Sequence, residues 1–255
     1  EGAGNKSLEM FDSSRIKAEI SSTDLYCGGM LDGRGGHMHA LNLALGEAAA
    51  IESLGGKIFE QSRVVNIEHG PRPRAVLASG NVVADTIVVC GNAYLGKTVP
   101  ALSRRIMSVS SQILVTESLG EELARRMMPK GYSVEDCNFL LDYYRITADH
   151  RLLFGGGVVY SGHDGGDIIR RLWPHVIRTF PFLEGRRVDF AWSGNFALTL
   201  SRMPHIGRLA DSVYFIQGDS GHGVAPCHLL GSLTARAVMG QSGGFDVFAA
   251  MKNYP

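Results

Sequence analysis

The groups best suited to chemistry gather in two short stretches, residues 32–39 and 218–223. In the second, Gly218, Gly221 and Gly223 surround Ser220 and His222, between an apolar run at 213–216 and a periodic segment at 224–240. That order reads as strand, tight loop and helix. Val213, Tyr214, Phe215 and Ile216 suit a buried strand, and Cys227, Leu230, Leu233, Thr234, Ala237 and Val238 form an apolar stripe at helical spacing. Glycines in the loop permit positive φ or close approach to something flat. The helix start aims free N–H groups and the positive end of its dipole beyond the strand's end, which suits an anion or an electron-rich ring. The alternative is an ordinary glycine-rich connection between two buried elements.

Other chemistries fit less well. Ser220 and His222 stand two apart on a turn, so a Ser–His pair there is strained, and no G-x-S-x-G elbow with triad partners accompanies them. His37 and His39 lack a carboxylate or cysteine at metal-ligand spacing, and they lie where a helix begins, a position where histidines cap. Residues 221–226 open like a dinucleotide fingerprint, yet Pro226 takes the place of its last glycine. The opening GNKS lacks the spacing and the preceding strand of a phosphate loop.

The elements that must carry these groups follow from periodicity and turn residues. Residues 8–20 read as a weak amphipathic, partly helical segment, Ser21-Ser22-Thr23-Asp24 as a turn, and 25–31 as a short strand. Leu41, Ala44, Leu45, Ala48 and Ile51 predict a helix over 40–54, stopped by Gly55-Gly56. Strands are expected at 57–68 and in a hairpin around Gly80-Asn81, and 87–90 reads as a strand covered on both faces. Beyond Pro100 the pattern changes to a long strand over 106–117, a short helix over 121–128, and a hairpin pairing 139–147 with 151–155, ended by Gly155-Gly156-Gly157. A helix over 168–180 despite Pro174 and a strand over 188–200 with Gly194 inside complete this part. The fold class is therefore α/β (α+β): an α/β domain over 1–100 and 201–255 with an inserted, mostly antiparallel sheet domain over 101–200.

With 255 residues and 45% hydrophobic content, the chain can bury a substantial core. Twenty-five basic and 25 acidic side chains balance, so net charge favours neither nucleic acid nor an anionic membrane. No apolar run reaches the length of a membrane span, and no signal peptide opens the chain. Cys27, Cys90, Cys137 and Cys227 form no C-x-x-C pair and are expected to be reduced and buried, in a cytoplasmic protein.

Six blocks in order carry a resemblance: YCGGMLDGRGGHMHALNLALGEAA, GGKIFEQSRVVNIE, ADTIVVCGNAYLG, DYYRITADHRLLFGGG, WSGNFALTLSRMPHIGRL and VYFIQGDSGHGV. The chain resembles the C-terminal portion of FAD-dependent oxidoreductases of the D-amino-acid oxidase/glycine oxidase superfamily, in the branch of gamma-glutamylputrescine oxidase-like amine oxidases. The resemblance implies non-covalent FAD, since no cysteine follows Trp192-Ser193-Gly194 to tether it, and oxidation of the C–N bond of a small amine or amino acid. It puts Val64 and Val65 on the adenine side, Gly91 and Asn92 near the dinucleotide, and Gly218, Ser220, Gly221, His222, Gly223 and Val224 beside the isoalloxazine ring, with His222 a flavin-side catalytic candidate. His37, His39, Tyr144 and Arg145 fall on the substrate side. The family's G-x-G-x-x-G unit is not among these residues. The chain is accordingly expected to be a truncated portion that holds FAD weakly, or else a non-catalytic remnant that completes its sheet edge with a partner or a second copy.

Overall fold

A computed structural model describes residues 6–20, 23–160, 162 and 166–253. Ser21-Ser22 of the expected turn and Gly4-Asn5 of the opening GNKS therefore lie outside the described residues. The chain divides into two compact units, one made of residues 1–58, 111–158 and 165–193, the other of 59–110, 159–164 and 194–255.

In the first unit, Leu8–Asp12 and Gly28–Asp32 form an antiparallel ribbon in the register Leu8↔Asp32 to Asp12↔Gly28. The single helical segment expected over 8–20 is a strand followed by the helix Ser13–Glu19. Asp12 explains the break, because its carboxylate accepts the Arg15 N–H at 2.8 Å as an N-cap, so the helix cannot start earlier. The helix Ala40–Ser53 forms where periodicity put it and ends before Gly55, whose φ is +84°. It has no buried residue, however, and Leu41, Leu45 and Ile51 are exposed.

A five-stranded sheet orders its strands as Val188–Leu198, Met107–Thr116, Leu152–Val159, Tyr143–Ile146 and Val134–Glu135. The helix Ile168–Thr179 contributes Leu172 and Val176 to a core that includes Leu114, Tyr144, Leu152, Phe154 and Phe180. Tyr144 stacks on Phe154 and meets Phe180 edge-on, with ring centroids 5.6 and 5.1 Å apart. The glycines at 155–157 do not end their strand, which runs on to Val159. A Cβ on Gly155 would lie 2.1 Å from the Tyr143 ring, so this glycine serves a cross-strand close approach rather than a stop.

In the second unit, Val64–Glu68, Arg74–Leu77 and Gly80–Val83 form an antiparallel sheet. The strand expected over 57–68 is confined to its last residues, and Leu77 pairs with Gly80, so Ala78-Ser79 makes the turn expected at Gly80-Asn81. A second sheet centres on Val213–Gln217, which pairs antiparallel with His205–Ala210 and parallel with Ile87–Val89. Val213 and Phe215 pack on one side with Val89, Leu95, Val99 and Leu102. Tyr214 points the other way, against Leu230 and Ala237 of the helix Val224–Val238 and Phe245 of Gly243–Ala249. A continuous apolar run is the sequence pattern of such doubly covered strands. The neighbouring strand differs from its expectation, since Val88 is exposed.

All four cysteines are free and exposed rather than buried. Cys27 and Cys90 sit just outside strand ends, Cys137 lies in a loop, and Cys227 is off the buried Leu230, Thr234 and Ala237 face of its helix. No described helix is long and apolar enough to cross a membrane.

Candidate functional site

In the second unit, Val213–Gln217 hands its chain to a loop held by a dense set of hydrogen bonds. Gly218, Ser220 and Gly221 take φ values of +75°, +53° and +89°. The Gly218 N–H donates to Asn92 Oδ1 at 2.9 Å, and Asn92 Nδ2 donates to Asp219 Oδ1 at 2.6 Å. The Ser220 N–H donates to the Ala197 carbonyl at 2.9 Å, and the His222 N–H to the Asp219 carbonyl at 3.0 Å. Gly218 has no room for a side chain, since a Cβ would lie 2.2 Å from Thr199 Cγ2. A Cβ on Gly223 would lie 2.9 Å from the Asp219 carboxylate.

These bonds leave the N–H groups of Gly221, Gly223, Val224 and Ala225 without partners among the described residues. Gly223 precedes the 15-residue helix Val224–Val238 with no side-chain cap, so the positive end of the helix dipole is unmasked. His222 is exposed, and its Nδ1 lies 3.3 Å from the Ser220 carbonyl. Donating there leaves Nε2 of a neutral ring as an acceptor, and only the imidazolium presents a second donor. Gly91 and Asn92 stand where Ile87–Val89 ends, with Asn92 at φ +45°. The parallel register Val213↔Ile87 to Phe215↔Val89 brings them beside the loop. Val64 accepts from Thr98 Oγ1 at 3.1 Å, and Val65 is exposed on the same strand. Beneath the loop, His205 and Gln217 are buried, with Gln217 Nε2 3.2 Å from His205 Nδ1.

The first unit contains an open cleft of about 1220 Å³, whose lining includes His37, His39, Arg145, Phe190 and Trp192. Arg145 donates to the Met38 carbonyl at 3.1 Å, tying the strand Tyr143–Ile146 to the loop before the helix Ala40–Ser53. Partial burial and then the Arg145 charge hold His37 below the usual histidine range, so its neutral form is favoured. His39 caps the helix, its Nδ1 accepting the Asn42 N–H at 3.3 Å. Tyr144 does not join this group, because strand alternation turns it into the core, where it donates to Tyr26 Oη at 3.1 Å. Tyr143 instead shares the Arg145 face and lies 2.8 Å from Ser111 Oγ. Period-two reading of Tyr143-Tyr144-Arg145 would have singled it out. Asp219, the second residue missed, carries no sequence signal of its own because its partner Asn92 is 127 positions away.

A strand-to-helix loop with free donors, joined in one chain to a largely antiparallel sheet, is an α+β arrangement. The fold is similar to glycine oxidase from Geobacillus kaustophilus, with a TM-score of 0.85 at 18% identity, over 100% of this chain and 69% of that one. The chain belongs to the DAO family of FAD-dependent oxidoreductases, whose model matches residues 1–237. It is 51% identical to the gamma-glutamylputrescine oxidoreductase of Escherichia coli (strain K12) over 99% of this chain and 59% of that protein. It is 36% identical to the probable oxidoreductase OrdL of Haemophilus influenzae over 98% of this chain and 58% of that protein. The chain thus spans somewhat under two thirds of the length of these relatives.

Proposed function

We propose that the protein is an FAD-dependent oxidoreductase that oxidises the C–N bond of an amine or amino acid. The observation that carries the reading is the group of unpaired backbone donors at Gly221, Gly223, Val224 and Ala225 in a chain of this family. Their chemistry fits the flavin. They are neutral N–H groups at a helix start, suited to the edge of a ring that becomes negative on reduction, and such an arrangement stabilises that charge by about 1–2 kcal/mol. FAD, when bound, would supply the two-electron acceptor for oxidation of the substrate's C–N bond to an imine, which water would then hydrolyse.

The chain's own residues bind and orient. Gly218, Ser220, Gly221, His222, Gly223 and Val224 line the ring side in this reading, and Val64, Val65, Gly91 and Asn92 the dinucleotide side. In the cleft, Arg145 donates, among the described residues, only to a backbone carbonyl and so keeps guanidinium donors for a substrate carboxylate, beside His37 and the apolar faces of Phe190 and Trp192. Tyr144 supports this wall from the core, and His39 fixes the loop that carries His37. The relatives' greater length and the exposed Leu41, Leu45 and Ile51 support a second point, that additional chain shares the flavin and that this stretch alone holds it weakly.

Anaerobic mixing of the purified full-length protein with a panel of amines and amino acids tests the proposal. The visible flavin band should appear in stoichiometric amount and bleach with at least one substrate. A protein that purifies without flavin and takes up none on incubation with FAD refutes it.

A further inference from the structure

We infer that Asp219 and Asn92 form a polar clamp whose task is to set the direction of the loop N–H groups, making both of them positioning residues for the flavin ring. The inference rests on the flavin reading above but concerns residues for which that reading gives no reason. Asn92 Nδ2 donates to Asp219 Oδ1 at 2.6 Å while Asn92 Oδ1 accepts the Gly218 N–H at 2.9 Å. The orientation of the amide is forced, because its oxygen must face the N–H and its nitrogen the carboxylate. One side chain therefore ties the end of Ile87–Val89 to both the first residue of the loop and its acidic second residue.

Asp219 is fixed a second time by its own carbonyl, which accepts the His222 N–H at 3.0 Å. Its carboxylate also fills the space where a Cβ on Gly223 would stand, 2.9 Å away. It thus holds the turn immediately before the free donors of Gly223, Val224 and Ala225. The clamp sits among left-handed residues: Asn92 has φ +45°, and Asp219 lies between Gly218 and Ser220 at φ +75° and +53°. Without the clamp, the left-handed turn loses the contact that offsets its backbone cost, and the donors lose their common aim.

The geometry makes a charge-swap experiment decisive. In N92D two carboxylates face each other across the former hydrogen bond, whereas in N92D/D219N the amide and the carboxylate exchange places. In that double variant the carboxylate introduced at position 92 accepts from both the Gly218 N–H and the amide introduced at position 219, and the original net charge returns. Asp tolerates left-handed φ as Asn does, so the backbone at position 92 is not the variable. In the full-length protein, N92D is expected to weaken FAD binding about tenfold, lower the flavin midpoint potential and speed hydrogen exchange of the 217–224 amides in flavin-free protein. The double variant should recover all three.

Recovery of exchange without recovery of the potential would overturn a positioning role and leave only a structural bond. An unchanged potential in N92D would overturn it as well. Failure of the parent protein to bind flavin would overturn the functional reading, while the exchange measurements would still decide whether the clamp exists. Should N92D not fold, N92A, which removes both amide contacts without changing the net charge, must show a lowered potential and faster exchange of the 217–224 amides, and a potential equal to the parent's refutes the inference.

Discussion

Substituting Gly218 by alanine should be among the most damaging small changes in the second unit. The new Cβ would lie 2.2 Å from Thr199 Cγ2, on a residue whose φ is +75°. An L-residue in that region costs about 1–2 kcal/mol. Forcing a methyl into an occupied site adds about 1–3 kcal/mol. The stiffer unfolded chain returns about 0.4–1 kcal/mol. The net loss is therefore roughly 2–4 kcal/mol, of which the steric part alone belongs to Thr199. Adding T199S removes the obstructing methyl but keeps the hydroxyl that donates to the Met203 carbonyl at 2.8 Å, and should recover that part, leaving about 1 kcal/mol from the backbone. Urea unfolding should be followed by far-ultraviolet circular dichroism, since both tryptophans, Trp173 and Trp192, lie in the first unit and would not report on this one. Hydrogen exchange across 205–238 localises the effect. A G218A protein within about 0.5 kcal/mol of the parent, or a T199S partner that recovers nothing, would refute this reasoning.

Three further outcomes are expected. His205 is pushed down to about 4, first by burial and then by the Arg105 charge, against about 6.5 in the unfolded chain, so it stabilises fully above pH ~6.5. That contribution, about 3 kcal/mol, is lost as pH falls towards 4, and urea midpoints of H205Q should depend less on pH than the parent's over this window. Y144F should cost only about 1 kcal/mol, for the bond to Tyr26, whereas Y144A should cost about 3–5 kcal/mol for its place against Phe154 and Phe180, read as denaturation midpoints. H39A should lose about 0.5–2 kcal/mol of helix stability with little change in KM, while R145Q should raise KM for carboxylate-bearing substrates about tenfold and leave simple amines unaffected; the reverse pattern would exchange the two roles.

The central strand Val213–Gln217 and the helix after it were legible because an unbroken apolar run and a spaced stripe are local patterns with one reading each. The long sheet strand Met107–Thr116 and the helix Ile168–Thr179 were also readable from local pattern, and Pro174 did not break the helix. Failures came where a tertiary partner decides. Leu8–Asp12 is extended because Gly28–Asp32 offers it a ladder, and Gly155 is a seat for the Tyr143 ring, which composition alone presents as a stop. The cysteines were misjudged because their general burial tendency says nothing about which side of a helix, or which end of a strand, a given one occupies. At the site, the glycine loop could be read from its residues. The Asn92–Asp219 contact could not, because register between distant strands leaves no local trace. Tyr143 was accessible to a stricter use of strand alternation.

The parallel pairing of Ile87–Val89 with Val213–Gln217 also sets when the loop can form during folding. The Asn92–Asp219 bond joins residues 127 positions apart, and closing a loop of that length costs about 4 kcal/mol of chain entropy before any contact returns it. The antiparallel ribbon Leu152–Val159 with Tyr143–Ile146 and the pair His205–Ala210 with Val213–Gln217 need no such closure. The donor loop is therefore among the last features to be completed on the folding pathway. Substitutions at Asn92 should speed unfolding while leaving the refolding rate nearly unchanged, and a slowed refolding limb would show that the distant strands meet early.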